Sequence, residues 1–73
     1  MDEVRERVSI EGMSCGHCVM AVEKALQGIA GVVVDDVEIG TADVRYDGTN
    51  ETYERIERAI HDAGYEPRAH RPL

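Results

Sequence analysis

The chain has 73 residues, enough for one compact domain, and so small a core leaves little room for a deep cleft around a large organic cofactor. Fifteen acidic residues against eight basic ones give a formal charge of −7, which disfavours nucleic acid and anionic membranes as partners and favours a basic protein surface. Segment 1–7 is too charged for a signal peptide, and no apolar stretch approaches the roughly 20 residues of a membrane span. We therefore expect a single cytoplasmic domain over residues 1–73.

The first predicted element is a half-buried strand that begins at Val4. Its apolar residues alternate with polar ones, and only Glu6 interrupts the apolar face. The alternation stops at residues 12–16, after which apolar residues recur at helical spacing. This pattern predicts a helix that begins near Cys18 and ends around residues 28–31, where glycine accepts the positive φ of a C-terminal cap.

Two further strands are predicted over residues 32–39 and 42–47, joined by the two-residue connection Gly40-Thr41. A glycine in the first position of such a connection suits a type II′ hairpin, so the two strands should be antiparallel neighbours. Asp35 falls on the apolar face of the first of these strands. Its position indicates either a bulge at Asp35 or a later start of the strand.

The last predicted elements are a second helix and an edge strand. Residues 47–50 supply turn and N-cap chemistry, and apolar residues then follow on one helix face until Gly64 ends the helix. Residues 65–69 can form a short strand, and because Pro67 has no amide hydrogen, this strand belongs at a sheet edge. Residues 70–73 are expected to be a frayed tail.

The predicted order is therefore βαββαβ, in the α+β class. Two helices would cover one face of a four-stranded antiparallel sheet, which is the ferredoxin-like arrangement, with a core over residues 4–69. The loop that carries both cysteines would join the first strand to the first helix at one edge of the domain.

The two cysteines, Cys15 and Cys18, are too close in sequence for a disulfide between them to stabilise the fold. In a reducing compartment they would form a free dithiol, and two thiolates at a helix start can hold one soft metal ion. Structural zinc normally needs four protein ligands, whereas Cu(I) accepts as few as two. Free amides and the helix dipole at this position favour thiolate over thiol, and hence metal binding.

The sequence Gly-Met-Ser-Cys-Gly-His-Cys at residues 12–18 resembles the GMxCxxC signature of heavy-metal-associated domains, especially copper chaperones of the CopZ type. Residues 31–32, 44–47 and 63–65 resemble later landmarks of this family, so the resemblance covers residues 4–69. The resemblance implies that Cys15 and Cys18 are the metal ligands. It also implies that Met13 packs under the loop and that Tyr65 lies beside the metal.

The resemblance further implies what the protein does. Chaperones of this family carry Cu(I) as cargo and commonly pass it to the metal-binding domain of a copper-transporting P-type ATPase or to a copper-responsive regulator. We expect no enzymatic activity and no direct membrane insertion. A homodimer bridged by copper is an alternative that the sequence does not decide. Two departures concern the strand boundaries: the hairpin before Ala42 is shorter than in the family, and Asp35 replaces an apolar residue.

Alternatives remain at this stage. The same fold serves other soft metals, Hg(II) or Zn(II)/Cd(II), but zinc-type relatives often have Asp directly before the first cysteine, where this chain has Ser14. Dithiol–disulfide exchange is a further alternative, although a thioredoxin-like oxidoreductase needs a different and longer fold. His17 is either a solvated loop histidine or a residue that acts on the metal site. His61 and His70 are predicted to face solvent.

Overall fold

The computed structural model describes residues 3–73, which form a four-stranded sheet and two helices. The elements in chain order are β1 (Val4–Glu11), α1 (Gly16–Gln27), β2 (Val33–Glu38), β3 (Thr41–Tyr46), α2 (Asn50–Asp62) and β4 (Glu66–Pro72). Neighbouring strands are antiparallel in the order β2-β3-β1-β4. The predicted ferredoxin-like βαββαβ fold is confirmed. No helix in the described part of the chain is long and apolar enough to cross a membrane.

One core lies between the sheet and the helices. Its buried apolar side chains are Val8, Ile10, Met13, Cys18, Val22, Leu26, Val37, Ala42, Val44, Tyr46, Ile56 and Ile60. Full burial of a Val, Leu or Ile side chain contributes about 1.5–3 kcal/mol each, so this set supplies most of the driving force for folding. Because Met13 and Cys18 belong to it, the cysteine loop is packed onto the core.

Glu6, the polar residue on the apolar face of β1, has hydrogen-bonding partners at the edge of the core. The Tyr46 hydroxyl donates to Glu6 Oε1 at 2.6 Å, and His70 Nδ1 lies 2.7 Å from the same oxygen. Burial, followed by the Glu6 carboxylate, raises the pKa of Tyr46. The largely buried Glu6 carboxylate therefore has hydrogen-bond partners, as buried polar groups generally do.

β4 lies at the sheet edge, as predicted, but it is longer than predicted. It pairs with β1 through Pro72, and the Leu73 amide donates to the Arg5 carbonyl at 2.9 Å. The His70 ring also stacks on the Tyr53 ring with centroids 3.9 Å apart, although 41 % of the His70 side chain is exposed. The prediction of a frayed tail over residues 70–73 is wrong, because backbone pairing and this stacking order the segment.

The strand β2 contains the bulge that the sequence left as one of two alternatives. The pairing register with β3 shifts between Val34 and Asp36, so Asp35 is the extra residue. Its carboxylate accepts a hydrogen bond from Arg45 Nε at 3.0 Å and lies 3.4 Å from Arg5 Nε. The bulge thus turns an acidic side chain from the apolar face towards two arginines.

The turn between β2 and β3 consists of Ile39 and Gly40, not Gly40-Thr41 as predicted. The register places Glu38 opposite Thr41, which leaves these two residues as the connection. Gly40 has a φ of +91° in the second position, whereas a type II′ turn requires positive φ in the first. The prediction of a type II′ turn is wrong, because the pairing of Glu38 with Thr41 puts Gly40 in the second position of the turn and not in the first.

Candidate metal centre

The cysteine loop is supported from below by Met13. This side chain is only 9 % exposed, and its Sδ accepts a hydrogen bond from the Gly40 amide at 3.4 Å. The Gly40 carbonyl in turn accepts from the Ile10 amide at 2.8 Å. The β2–β3 turn therefore holds the base of the loop, and the prediction that Met13 packs under the loop is confirmed.

Helix α1 begins at Gly16, two residues before the predicted start. Cys15 is its N-cap, with extended backbone (φ −159°, ψ 176°), and the Cys15 carbonyl accepts from the amides of Cys18 at 3.0 Å and Val19 at 3.4 Å. The helix ends at Gln27 with Gly28 as its C-cap, and the positive φ expected in this region belongs to Gly31, at +85°. Both cysteines therefore lie at the electropositive N-terminus of a helix.

The two sulfurs face one another. Cys15 Sγ and Cys18 Sγ are 3.9 Å apart; Cys15 is exposed and Cys18 is only 8 % exposed. A zinc–thiolate bond is about 2.3 Å long, so two sulfurs at this separation can both contact a single soft metal ion. The residues present therefore fit a two-sulfur site that is anchored in the core on one side and open to solvent on the other.

Cys18 is disposed to be a thiolate. The Tyr65 hydroxyl, the Ser14 amide at 3.5 Å and the Cys15 backbone lower the pKa of Cys18 to about 6, with Tyr65 as the largest cause. The same interaction raises the pKa of Tyr65. At pH 7 a thiol with this pKa is about nine-tenths thiolate, the form that binds metals.

Tyr65 reaches the loop because α2 ends sharply. Gly64 takes a φ of +101°, and the Tyr65 amide then donates back to the Ile60 carbonyl at 3.1 Å. The Tyr65 ring packs over Gly12, whose φ is +95° and whose absent Cβ would lie 3.6 Å from Tyr65 Cδ1. Tyr65 therefore lies beside Cys18, and its place beside a bound metal stays a prediction.

Other predicted candidates lie apart from the two sulfurs. His17 is exposed on the first turn of α1, and His61 is exposed with its Nδ1 3.2 Å from Glu66 Oε1. Across residues 3–73, no group of three or more His, Cys, Asp or Glu side chains is arranged to hold a metal ion. Sequence reasoning missed two backbone contributions, the Ser14 amide on Cys18 and the Gly40 amide on Met13, since amide directions carry no signature in side-chain identity.

Comparison with known proteins agrees with this geometry. The model of the heavy-metal-associated domain family matches residues 7–66. The copper chaperone CopZ of Staphylococcus aureus is 44% identical over 64 residues, which cover 85% of this chain and 94% of that protein.

Two solved structures extend the comparison. A CopZ metallochaperone aligns with a TM-score of 0.77 at 42% identity, covering 88% of this chain and 98% of its own. A copper binding domain from HMA7, a P-type ATPase, aligns with a TM-score of 0.74 at 33% identity. The alignment covers 96% of this chain and 93% of that domain. With the family model spanning most of its length, the chain belongs to the heavy-metal-associated domain family.

Proposed function

We propose that this protein is a copper chaperone, which holds Cu(I) as cargo on the thiolates of Cys15 and Cys18 and transfers it to a partner protein. The observation that carries the proposal is the sulfur pair, 3.9 Å apart at the start of α1, with one sulfur buried and the other exposed. The 44% identity to the Staphylococcus aureus copper chaperone CopZ supports Cu(I) as the cargo. A free dithiol persists in a reducing compartment, which favours the cytoplasm.

The acceptor that we propose is the metal-binding domain of a copper-transporting P-type ATPase, or else a copper-responsive regulator. Similarity to the HMA7 copper binding domain supports the first of these. The HMA7 domain has the same fold as this chain, with a TM-score of 0.74. We propose no enzymatic turnover, because the metal is cargo and leaves unchanged.

Exposure of Cys15 suggests how the ion leaves. An acceptor thiolate approaches from the open side and forms a new copper–sulfur bond before the bond to Cys15 breaks. The ion then passes through a three-coordinate state and remains Cu(I), since no electron is transferred. Cys18, buried and ionised at pH 7, keeps hold of the ion until the acceptor has replaced Cys15.

The binding test is an anaerobic Cu(I) titration against a competing chelator, followed by native mass spectrometry. We expect one tightly bound Cu(I) per chain. The control is the double variant Cys15→Ser, Cys18→Ser, which should keep its fold, since Ser is close in size to Cys, and lose tight binding. Tight Cu(I) binding by the double variant would contradict the ligand assignment, and stronger binding of Zn(II) or Hg(II) in parallel titrations would reassign the cargo.

The transfer test is stopped-flow mixing of the Cu(I)-loaded chain with the apo HMA7 copper binding domain, with a cysteine-free form of that domain as control. We expect the rate to rise with acceptor concentration. If encounter is steered by the charge of −7 towards a basic surface, added salt should slow association, because the Debye length is only about 8 Å near physiological ionic strength. Equal transfer to the cysteine-free domain would exclude the shared-ligand mechanism.

Dithiol–disulfide exchange, the alternative function, predicts a different result. A dithiol oxidoreductase would reduce insulin repeatedly without any metal, and we expect no such turnover from this chain. Sustained metal-free turnover would replace the chaperone proposal by a redox one.

A further inference from the structure

Ile39 has an exposed side chain at a position where tight turns rarely carry one. It is the first residue of the two-residue turn between β2 and β3, and 57 % of its surface is exposed. Such turns favour Gly, Pro, Asn, Asp or Ser, which supply special backbone angles or local hydrogen bonds. Here Gly40 takes the positive φ, so the turn itself does not require isoleucine.

This turn lies at the same end of the molecule as the cysteines. Gly40, next to Ile39, donates its amide to Met13 Sδ at 3.4 Å and accepts from the Ile10 amide at 2.8 Å. Met13 is two residues before Cys15, which is exposed. An exposed apolar side chain therefore lies at the same end of the sheet as the loop that carries the two sulfurs.

Ile39 follows two exposed acidic residues in the chain. Asp36 and Glu38 are exposed on β2, the strand that leads into the turn. An exposed apolar centre with a polar rim is the usual composition of a protein-docking surface.

We propose that Ile39 is an apolar anchor of the surface on which the metal acceptor docks. The acceptor would present its own thiol beside an apolar patch with a basic rim. This inference rests on the proposed function and adds the surface that the acceptor covers. A second copy of this chain is a poorer occupant, because each copy has a charge of −7 and the acidic rims would repel one another.

Apolar residues at the centre of an interface often carry a large share of the binding energy. Replacing Ile39 by Thr keeps the β-branched backbone preference and removes apolar surface. We therefore expect association with the acceptor to weaken about tenfold, which corresponds to about 1.4 kcal/mol. Cu(I) affinity should change little, because the substitution leaves both sulfurs in place.

The experiment measures stopped-flow transfer from the Cu(I)-loaded chain to the apo HMA7 copper binding domain over a range of acceptor concentrations. Ile39→Thr should raise the half-saturating concentration about tenfold and leave the limiting rate unchanged. Ile39→Met should restore transfer because it restores an apolar side chain. The matched control is Leu73→Thr, because Leu73 is also exposed, at 51 %. Its amide donates a hydrogen bond to the Arg5 carbonyl, near the end of β1 that is far from the cysteine loop.

Several results would overturn the inference. Unchanged half-saturation in Ile39→Thr, or an equal effect of Leu73→Thr, would remove the docking role. A matching loss of Cu(I) affinity would show that Ile39 acts on the metal site instead. If Ile39→Thr abolished self-association of the loaded chain in sedimentation runs while transfer stayed unchanged, the occupant would be a second copy. Absence of transfer from the unaltered chain would contradict the proposed function itself.

Discussion

Removal of the Tyr65 hydroxyl should test what lowers the pKa of Cys18. Tyr65 is the largest cause of the low pKa of Cys18, about 6 against 9.0 for an unperturbed thiol. The substitution Tyr65→Phe keeps the ring that packs over Gly12 and removes the group that stabilises the thiolate. We expect the pKa of Cys18 to rise by about one unit or more, because hydrogen bonding to the charged form favours that form. At pH 7 the thiolate fraction would then fall from about nine-tenths to about half or less.

The assay is a pH titration of thiolate absorbance in the apo protein, made in a Cys15→Ser background so that only Cys18 is observed. The matched control is Tyr53→Phe, which removes a hydroxyl whose pKa, about 12, is raised by burial and then by Glu57 and Glu6, and not by the cysteines. An unchanged titration curve in Tyr65→Phe would refute the assignment of Tyr65 as the main cause. An equal shift in Tyr53→Phe would refute its specificity.

Three further predictions concern stability. Met13→Ala should lower the free energy of unfolding by about 2–5 kcal/mol in denaturant titrations, the range for a truncated core side chain, and a negligible loss would contradict its packing role. His70→Ala should cost about 1–2 kcal/mol by removing the Tyr53 stacking and the Glu6 contact, whereas an unchanged midpoint would mean that these contacts contribute nothing. Because the folded-state pKa of Cys18 is below its unfolded value, the unfolded chain binds more protons between pH 6 and 9. Apo stability should therefore rise with pH across this window and be lost as pH falls through about 6, with Cys18→Ser as the flat control.

Much of the metal centre was predictable from local sequence. The spacing of Cys15 and Cys18 before a helical pattern indicates two sulfurs at a helix start, and both sulfurs lie there. Burial of Met13 was implied by the resemblance of residues 12–18 to the GMxCxxC signature, and Met13 is buried. The burial of Cys18 was indicated as well, because Cys18 lies at helical spacing from Val22 on the apolar face of the predicted helix, whereas Cys15 lies in the loop before it and is exposed.

By itself, the sequence determined the element order and the antiparallel βαββαβ fold, because period-2 and helical repeats, glycines and the N-cap chemistry of residues 47–50 are properties of neighbouring residues. The tertiary structure decided what depends on partners distant in the chain. The carboxylate of Asp35 in the bulge is paired with Arg45 of another strand, and the pairing of Glu38 with Thr41 leaves Ile39 exposed in the hairpin turn. Likewise, β4 extends to Pro72 only because β1 offers it backbone partners from the opposite end of the chain. Asp35 and Arg45 are ten positions apart, and the paired residues of β1 and β4 are more than fifty apart, so no pattern within a single element records these contacts.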